Sequence, residues 1–132
     1  MNYAKLKAEV TTDPLGRGYS AMTDAEVATS LNVADRQRAR EQMSGDEVFQ
    51  QTDGTEFAGL TDTKRQLWVA FCARDGIDPR APANRNFVKF IFGAGAKTVS
   101  TLEAARMETV SRANELGAGV IKPGDINHAR SL

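Results

Sequence analysis

Three times in this sequence a Ser or Thr stands three residues ahead of a Glu: Thr23-Asp-Ala-Glu26, Ser44-Gly-Asp-Glu47 and Ser100-Thr-Leu-Glu103. At that spacing the hydroxyl accepts from the backbone N–H three residues on, while the carboxylate reaches back to the N–H of the Ser or Thr, so each marks the start of a helix. A chain that restarts helices so often is built of short ones, and its turns carry as much information as its helices.

The other elements follow from spacing. In 2–11, Tyr3, Leu6 and Val10 recur at helical intervals with Lys5, Lys7 and Glu9 on the other side, and Asp13-Pro14 ends the helix because the residue before a proline is driven out of the α region. Thr23 opens a helix through Val27, Ala28 and Leu31, and Ser44 opens a shorter one with Val48 and Phe49. Residues 57–60 form a helical turn. The stretch 61–76 reads as a full helix capped by Thr61 and stopped by Gly76, with Leu67, Trp68, Phe71 and Cys72 as the stripe that centres a single core. In 84–95, after Pro82, Phe87, Val88, Ile91 and Phe92 share one face and Phe90 falls on the opposite side. The longest helix is predicted over 100–117, with Leu102, Ala105, Thr109, Val110, Ala113 and Leu116 inward, a Glu108–Arg112 pair outward and Gly117 just past its end. Residues 119–125 are the one extended piece, and Asp125 caps a last turn through Ile126 and Ala129. The expectation is an all-α fold, a compact single domain of about five to seven short helices with one short extended segment near the C-terminus.

Charge and cysteine content remove whole classes of function. Over 132 residues, Lys plus Arg equals Asp plus Glu at 17 each, so no global field draws the chain to nucleic acid or to an anionic membrane. Cys72 is the one cysteine, which precludes an internal disulfide and a multi-thiolate zinc site and fits a reducing compartment. The longest apolar run, 67–73, is far shorter than a membrane span, and the N-terminus lacks the apolar run of a signal peptide. A soluble, intracellularly made chain is expected.

Catalytic and ligand-binding patterns are thin. Gly16-Arg17-Gly18 resembles part of a phosphate-cradling loop, but it follows a helix rather than a strand and lacks a third glycine or a Gly-Lys-Ser/Thr sequence; the pair is expected to supply positive φ in a turn, with Arg17 and Tyr19 exposed or packed at its edge. His128, the one histidine, lies near the C-terminus, and Cys72 sits on the most apolar helix, where a cysteine behaves as a small hydrophobe rather than as His128's nucleophilic partner. Asp46–Glu47 and Asp75–Asp78 sit in cap and turn contexts. No metal or cofactor site, and no enzymatic activity, is expected. The most basic stretch is 35–40; read as a helix, it puts Arg36 and Arg40 on one face and Arg38 on another, a solvated face or protein interface rather than a stripe that reads phosphates.

The combination of "DPLGRGY" with "VATSLN", of "FGAGAKTVSTL" and of "SRANELGAGVIKPGDINHAR" resembles a group of short proteins found among the virion-structure genes of tailed bacteriophages. Asp13, Pro14, Gly18, Tyr19, Ala28, Leu31 and Asn32 match the N-terminal part of that pattern. Ser111, Arg112, Ala113, Glu115, Leu116, Gly117, Gly124 and Asp125 match the C-terminal part. Asn114 departs from the acidic or aliphatic residues equally familiar there, and 35–82 carries little of the pattern. The resemblance implies a structural virion protein, made in the bacterial host cytoplasm, and by size and class a head-tail adaptor that forms a ring beneath the portal. Its implied partners are copies of itself, the portal protein and neighbouring head-tail or tail proteins, with no membrane and no specific nucleic-acid contact. Segments 1–20 and 119–132 are expected to reach neighbours, through Arg17, Tyr19, Arg36, Arg38, Arg40, Lys122, His128 and Arg130. Other readings are a tail terminator, a capsid-decorating protein, an assembly chaperone, or a helix-turn-helix regulator using 23–40.

Overall fold

The computed structural model describes all residues, Met1–Leu132. It is mostly helical, with nine α-helices and a two-stranded sheet. In chain order these are α1 (Tyr3–Thr12), a 3-10 turn (Tyr19–Ala21), α2 (Asp24–Asn32), β1 (Arg36–Ala39), α3 (Gly45–Gln50), α4 (Gly54–Ala58), α5 (Asp62–Cys72), α6 (Pro82–Phe92), α7 (Lys97–Ala105), β2 (Met107–Val110), α8 (Arg112–Glu115) and α9 (Pro123–Ser131). None is long and apolar enough to cross a membrane.

Packing divides the chain into two compact units, one of residues 1–37 and 109–132 and one of residues 38–108. The chain leaves the first along β1 and returns along β2. Where one core was expected, each unit has its own. In the first, Leu6, Val10, Tyr19, Val27, Ala28, Leu31, Ala113, Ile121, Ile126 and Ala129 pack together. In the second, Trp68 and Phe71 are joined by Met43, Val48, Ile77, Ile91 and Leu102. Trp68 stacks on Phe71 with ring centroids 5.5 Å apart, takes the edge of Phe92 at 4.8 Å, and donates its indole N–H to Thr52 Oγ1 at 3.0 Å. Its polar atom is thereby satisfied inside an apolar cluster.

Two of the three sequence caps form as written. Thr23 and Glu26 close a capping box on α2, and Ser44 and Glu47 close one on α3. Asn2, Asp53 and Thr61 cap α1, α4 and α5, and Pro82 stands in the first turn of α6, where its missing N–H costs nothing. Gly45, at the start of α3, is pressed against the end of α5: a Cβ there would overlap the carbonyl oxygens of Cys72 and Arg74. Backbone cannot move aside as a flexible side chain would. Gly45→Ala is therefore expected to cost about 2 kcal/mol or more, read as a lowered urea midpoint at unchanged m-value.

The predicted helix over 100–117 does not exist as one element. Its start moves back to Lys97, because Glu56 of α4 supplies the cap: its carboxylate accepts from the N–H groups of Lys97 and Thr98 at 2.8 and 2.7 Å and from Thr98 Oγ1 at 2.6 Å. Ser100, left without a capping role, donates back to Lys97 O. The helix then breaks at Arg106, and Met107–Val110 pairs with Arg36–Ala39. Gln37 meets Thr109 and Arg38 meets Glu108 across the ladder, which fixes an antiparallel register. A continuous helix would have gained one exposed Glu108–Arg112 pair, worth about 0.2–0.5 kcal/mol. The strand gains ladder hydrogen bonds, seats β-branched Thr109 and Val110 where they fit best, and frees Ser111 to cap α8 with Asn114 in the place a Glu usually holds. The matched departure at Asn114 thus has a role. Gly117, at φ 73°, does lie just past a helix end, that of the short α8.

The sheet also corrects the basic stretch, since Arg36–Ala39 within it is strand and no part of 35–40 is helix. Of residues 119–125, expected to be extended and capped by Asp125, 123–125 already belong to α9, whose N-cap is Lys122, and 119–122 belong to no strand: the amide of Asn32 donates to Ile121 O at 2.7 Å and accepts from Ile121 N–H at 2.9 Å, giving the backbone what a neighbouring strand would. Two further expectations are adjusted. The helix expected over 61–76 ends at Cys72, and Ile77 turns to pair with Met43 at 2.7 and 2.9 Å. Leu67, expected in the core, is exposed.

Candidate functional site

The glycine-flanked turn is closed on itself. Gly16 and Gly18 both have positive φ, and the N–H groups of Arg17 and Gly18 point at Asp13, whose carboxylate accepts both, at 2.8 and 2.7 Å. Burial opposes ionisation of Asp13, yet the N–H groups of Arg17, Gly18 and Tyr19, helped by the Arg17 charge, hold its carboxyl below the usual range. The amides that would cradle a phosphate already hold an internal anion. Arg17 lies back over α2, donating to Ser30 O at 2.6 Å and to Asp35 at 2.9 Å.

Tyr19 corrects the expectation of an edge position: it is 0% exposed at the centre of the first unit. Burial first, and then the nearby Glu9 charge, push its phenol up to about 12. Glu9, placed by helical spacing among the solvent-facing residues of α1, is only 4% exposed. It is held by Arg112, which donates Nε and Nη2 to its two carboxylate oxygens at 2.8 and 2.9 Å, the paired geometry guanidinium suits best. Arg112 also reaches Glu115 at 3.3 Å, and Glu115 accepts Arg36 Nε at 2.7 Å. Glu9, Arg112, Glu115 and Arg36 form one alternating chain of charge, and Arg36 foremost keeps the Glu115 carboxyl below its ordinary value.

Each arginine of the basic stretch has its own glutamate. Beside Arg36–Glu115 stand Arg38–Glu108 at 2.8 Å and Arg40–Glu47 at 2.7 Å. Residues 23–40 contain one helix followed by a strand, so the segment holds no second helix to enter a DNA groove. Around α9, Asp125 accepts from Lys122 N–H at 2.9 Å and from the Tyr3 hydroxyl at 3.0 Å. Arg130 donates to Asp24 at 2.7 Å and to the carbonyls of Tyr19 and Met22 at 2.8 and 3.1 Å. His128 meets the ring of Tyr3 edge-on at 4.3 Å, and Lys122 is exposed. Of the residues expected at partner contacts, Tyr19 is interior, Arg17, Arg36, Arg38, Arg40 and Arg130 are engaged within the chain, and Lys122 and His128 have accessible surface.

Nucleophile and base fall in different units: Cys72 belongs to the second, where burial pushes its thiol up to about 12, and His128 to the first. No three His, Cys, Asp or Glu side chains stand close enough to share a metal ion. The second unit contains a cavity of about 50 Å³ among Met43, Phe71, Ile77, Val88 and Leu102, with Glu103 at its edge between Arg85 (3.1 Å) and Arg106 (2.9 Å). Sequence reading missed the Asn32–Ile121 clasp and the Glu9–Arg112 pair. Each joins residues far apart in the chain, Asn32 to Ile121 and Glu9 to Arg112, and no local pattern marks either.

These ionisations set a pH window. Asp13, Glu47, Glu56, Glu103, Glu115 and Asp125 all titrate below their ordinary values in the folded chain, so they contribute stability that is present above the unfolded carboxylate range, about pH 4–4.5, and lost as pH falls through their folded values. Tyr19 has the opposite sign: its raised value gives stability that is full below the unfolded phenol's pKa of about 10 and lost as pH climbs toward 12. Thermal melts from pH 2 to 12 should show a plateau between about pH 5 and 9 with Tm falling on both sides. A Tm that still rose as pH fell from 5 to 3 would contradict these assignments.

Compared with protein-family models, with curated proteins and with solved structures, the chain matches none.

Proposed function

We propose that the chain is a structural subunit of a tailed-phage virion, a head-tail connector that forms a ring with copies of itself between the portal and the tail. It acts by packing, catalyses no reaction, and joins the particle after synthesis in the bacterial cytoplasm. One observation carries the reading. The residues matched one by one come from opposite ends of the chain and fall in the first unit, where most have identifiable structural roles; the other quoted stretch, 92–102, lies in the second unit. Asp13 and Gly18 close the turn, Tyr19, Ala28, Leu31 and Ala113 fill the core, and Asn32 clasps Ile121. Ser111 caps α8, Arg112 and Glu115 carry the charge chain, and Asp125 ties α9 to Tyr3.

Within the first unit, the tail keeps an accessible side. Val120 is 78% exposed, with Lys122 and His128 also at the surface, while Ile121, Ile126 and Ala129 are buried. Ring subunits meet through unlike faces that close by rotation, and this side of the tail is the one we assign to a neighbour. The test is a nonsense mutation in the gene, with the particles viewed by electron microscopy. Heads without tails beside free tails of normal length are expected. Tails of irregular length would point instead to a tail terminator, and infectious tailed particles would overturn the structural role.

A further inference from the structure

The second unit carries an apolar groove between α5 and α6 that the connector reading does not use. Its floor is Leu67, Ala70 and Phe71 of α5 with Ala83 and Phe87 of α6, around a volume of about 350 Å³. Phe90 extends the floor beyond Phe87, with ring centroids 6.4 Å apart. This face is not covered by the chain: Leu67 is 41% and Phe90 59% exposed. Both are the kind of side chain that a monomer buries when it has the means.

Charge says what fits there. Nine arginines of this protein hold a carboxylate. Arg74, at one end of the groove, holds none: its guanidinium lies 5.0 Å over the Phe71 ring and touches only Asn84 Oδ1, at 3.5 Å. At the other end Lys64 lies 5.2 Å over the Phe90 ring, also without a carboxylate. No acidic side chain lines the groove. Lys64 stands in the first turn of α5 and Arg74 lies two residues beyond its last residue, Cys72, so the two cations stand at opposite ends of the helix.

We infer that this groove docks a helix of a partner protein, one that presents an apolar stripe with an acidic residue at each end. The apolar stripe would cover Leu67, Phe87 and Phe90, and the two carboxylates would meet Lys64 and Arg74. A second copy seated face to face is disfavoured, because it brings Lys64 and Arg74 onto the same two cations. The assignment goes beyond the virion reading and stands without it; particle composition tests that reading and leaves the groove untouched.

The test uses the full chain and two fluorescein-labelled helical peptides, each with leucines at i, i+3, i+4 and i+7, flanked at each end by glutamates in one and by lysines in the other. Fluorescence anisotropy should show the glutamate peptide binding at least about tenfold tighter, with the difference shrinking as salt rises. Phe90→Ser, at an exposed position, should weaken binding about tenfold at unchanged Tm. The double variant Lys64→Glu/Arg74→Glu should reverse the preference between the peptides. Equal affinities, or no binding of either up to about 1 mM, would overturn the inference. So would self-association of the chain that Phe90→Ser abolishes, which would give the face to a second copy.

Discussion

Arg112→Leu is expected to destabilise the chain by about 3–5 kcal/mol, enough to unfold a small protein of ordinary stability near room temperature. The effect comes less from the lost attraction than from what remains. Glu9 is 4% exposed, and without Arg112 its carboxylate keeps only a long 3.4 Å contact from the Tyr19 hydroxyl. It must then stay charged without a cation or take up a proton, and each costs free energy. The double variant Glu9→Leu/Arg112→Leu should recover much of the loss, because an apolar pair needs no desolvation of charge. Urea unfolding followed by far-UV circular dichroism measures both. A loss under about 1 kcal/mol for the single variant would mean that Glu9 reaches water and the pair is a surface bridge.

Removing residues 119–132 should unfold the first unit outright. The deletion takes away Ile121, Ile126 and Ala129, all within 1% of complete burial, together with the Asn32 clasp and the Arg130 bonds to the Tyr19 and Met22 carbonyls. The two isoleucines alone represent about 4–10 kcal/mol by the cost of truncating such side chains, comparable to a whole domain's stability. The truncated chain should lose helical signal, and the backbone amides of Leu6, Val27 and Leu31 should exchange with solvent without protection. Retention of both would contradict the packing described for α9. Failure of a tail-deleted chain to enter particles would therefore report unfolding, and Lys122→Glu or His128→Ala is the sharper probe of contact with a neighbour.

Local chemistry was legible in the sequence where it is self-contained. The boxes at Thr23 and Ser44, the Thr61 cap and the stop at Asp13-Pro14 depend on residues within a few positions, and all form. Expectations failed where a distant residue outbid a near one. Glu56 took over the start of α7 from Ser100, β1 drew Met107–Val110 out of a helix, and Arg112 turned from Glu108 to Glu9, which no window of sequence reveals. Division of the apolar residues between two cores was illegible for the same reason. Leu102 and Ala113 share a face on an ideal helix, but in the structure they belong to different clusters. At the groove, helical spacing set Phe90 apart correctly and misplaced Leu67, because the stripe on α5 is wider than the surface α6 covers.

The most direct test of the central claim is the number of copies of this chain per particle, measured against the portal subunit by quantitative mass spectrometry of purified virions. A connector ring predicts copy numbers equal to those of the portal subunit. Absence from the particle, or a number in the range of the capsid or tail-tube subunits, would contradict it.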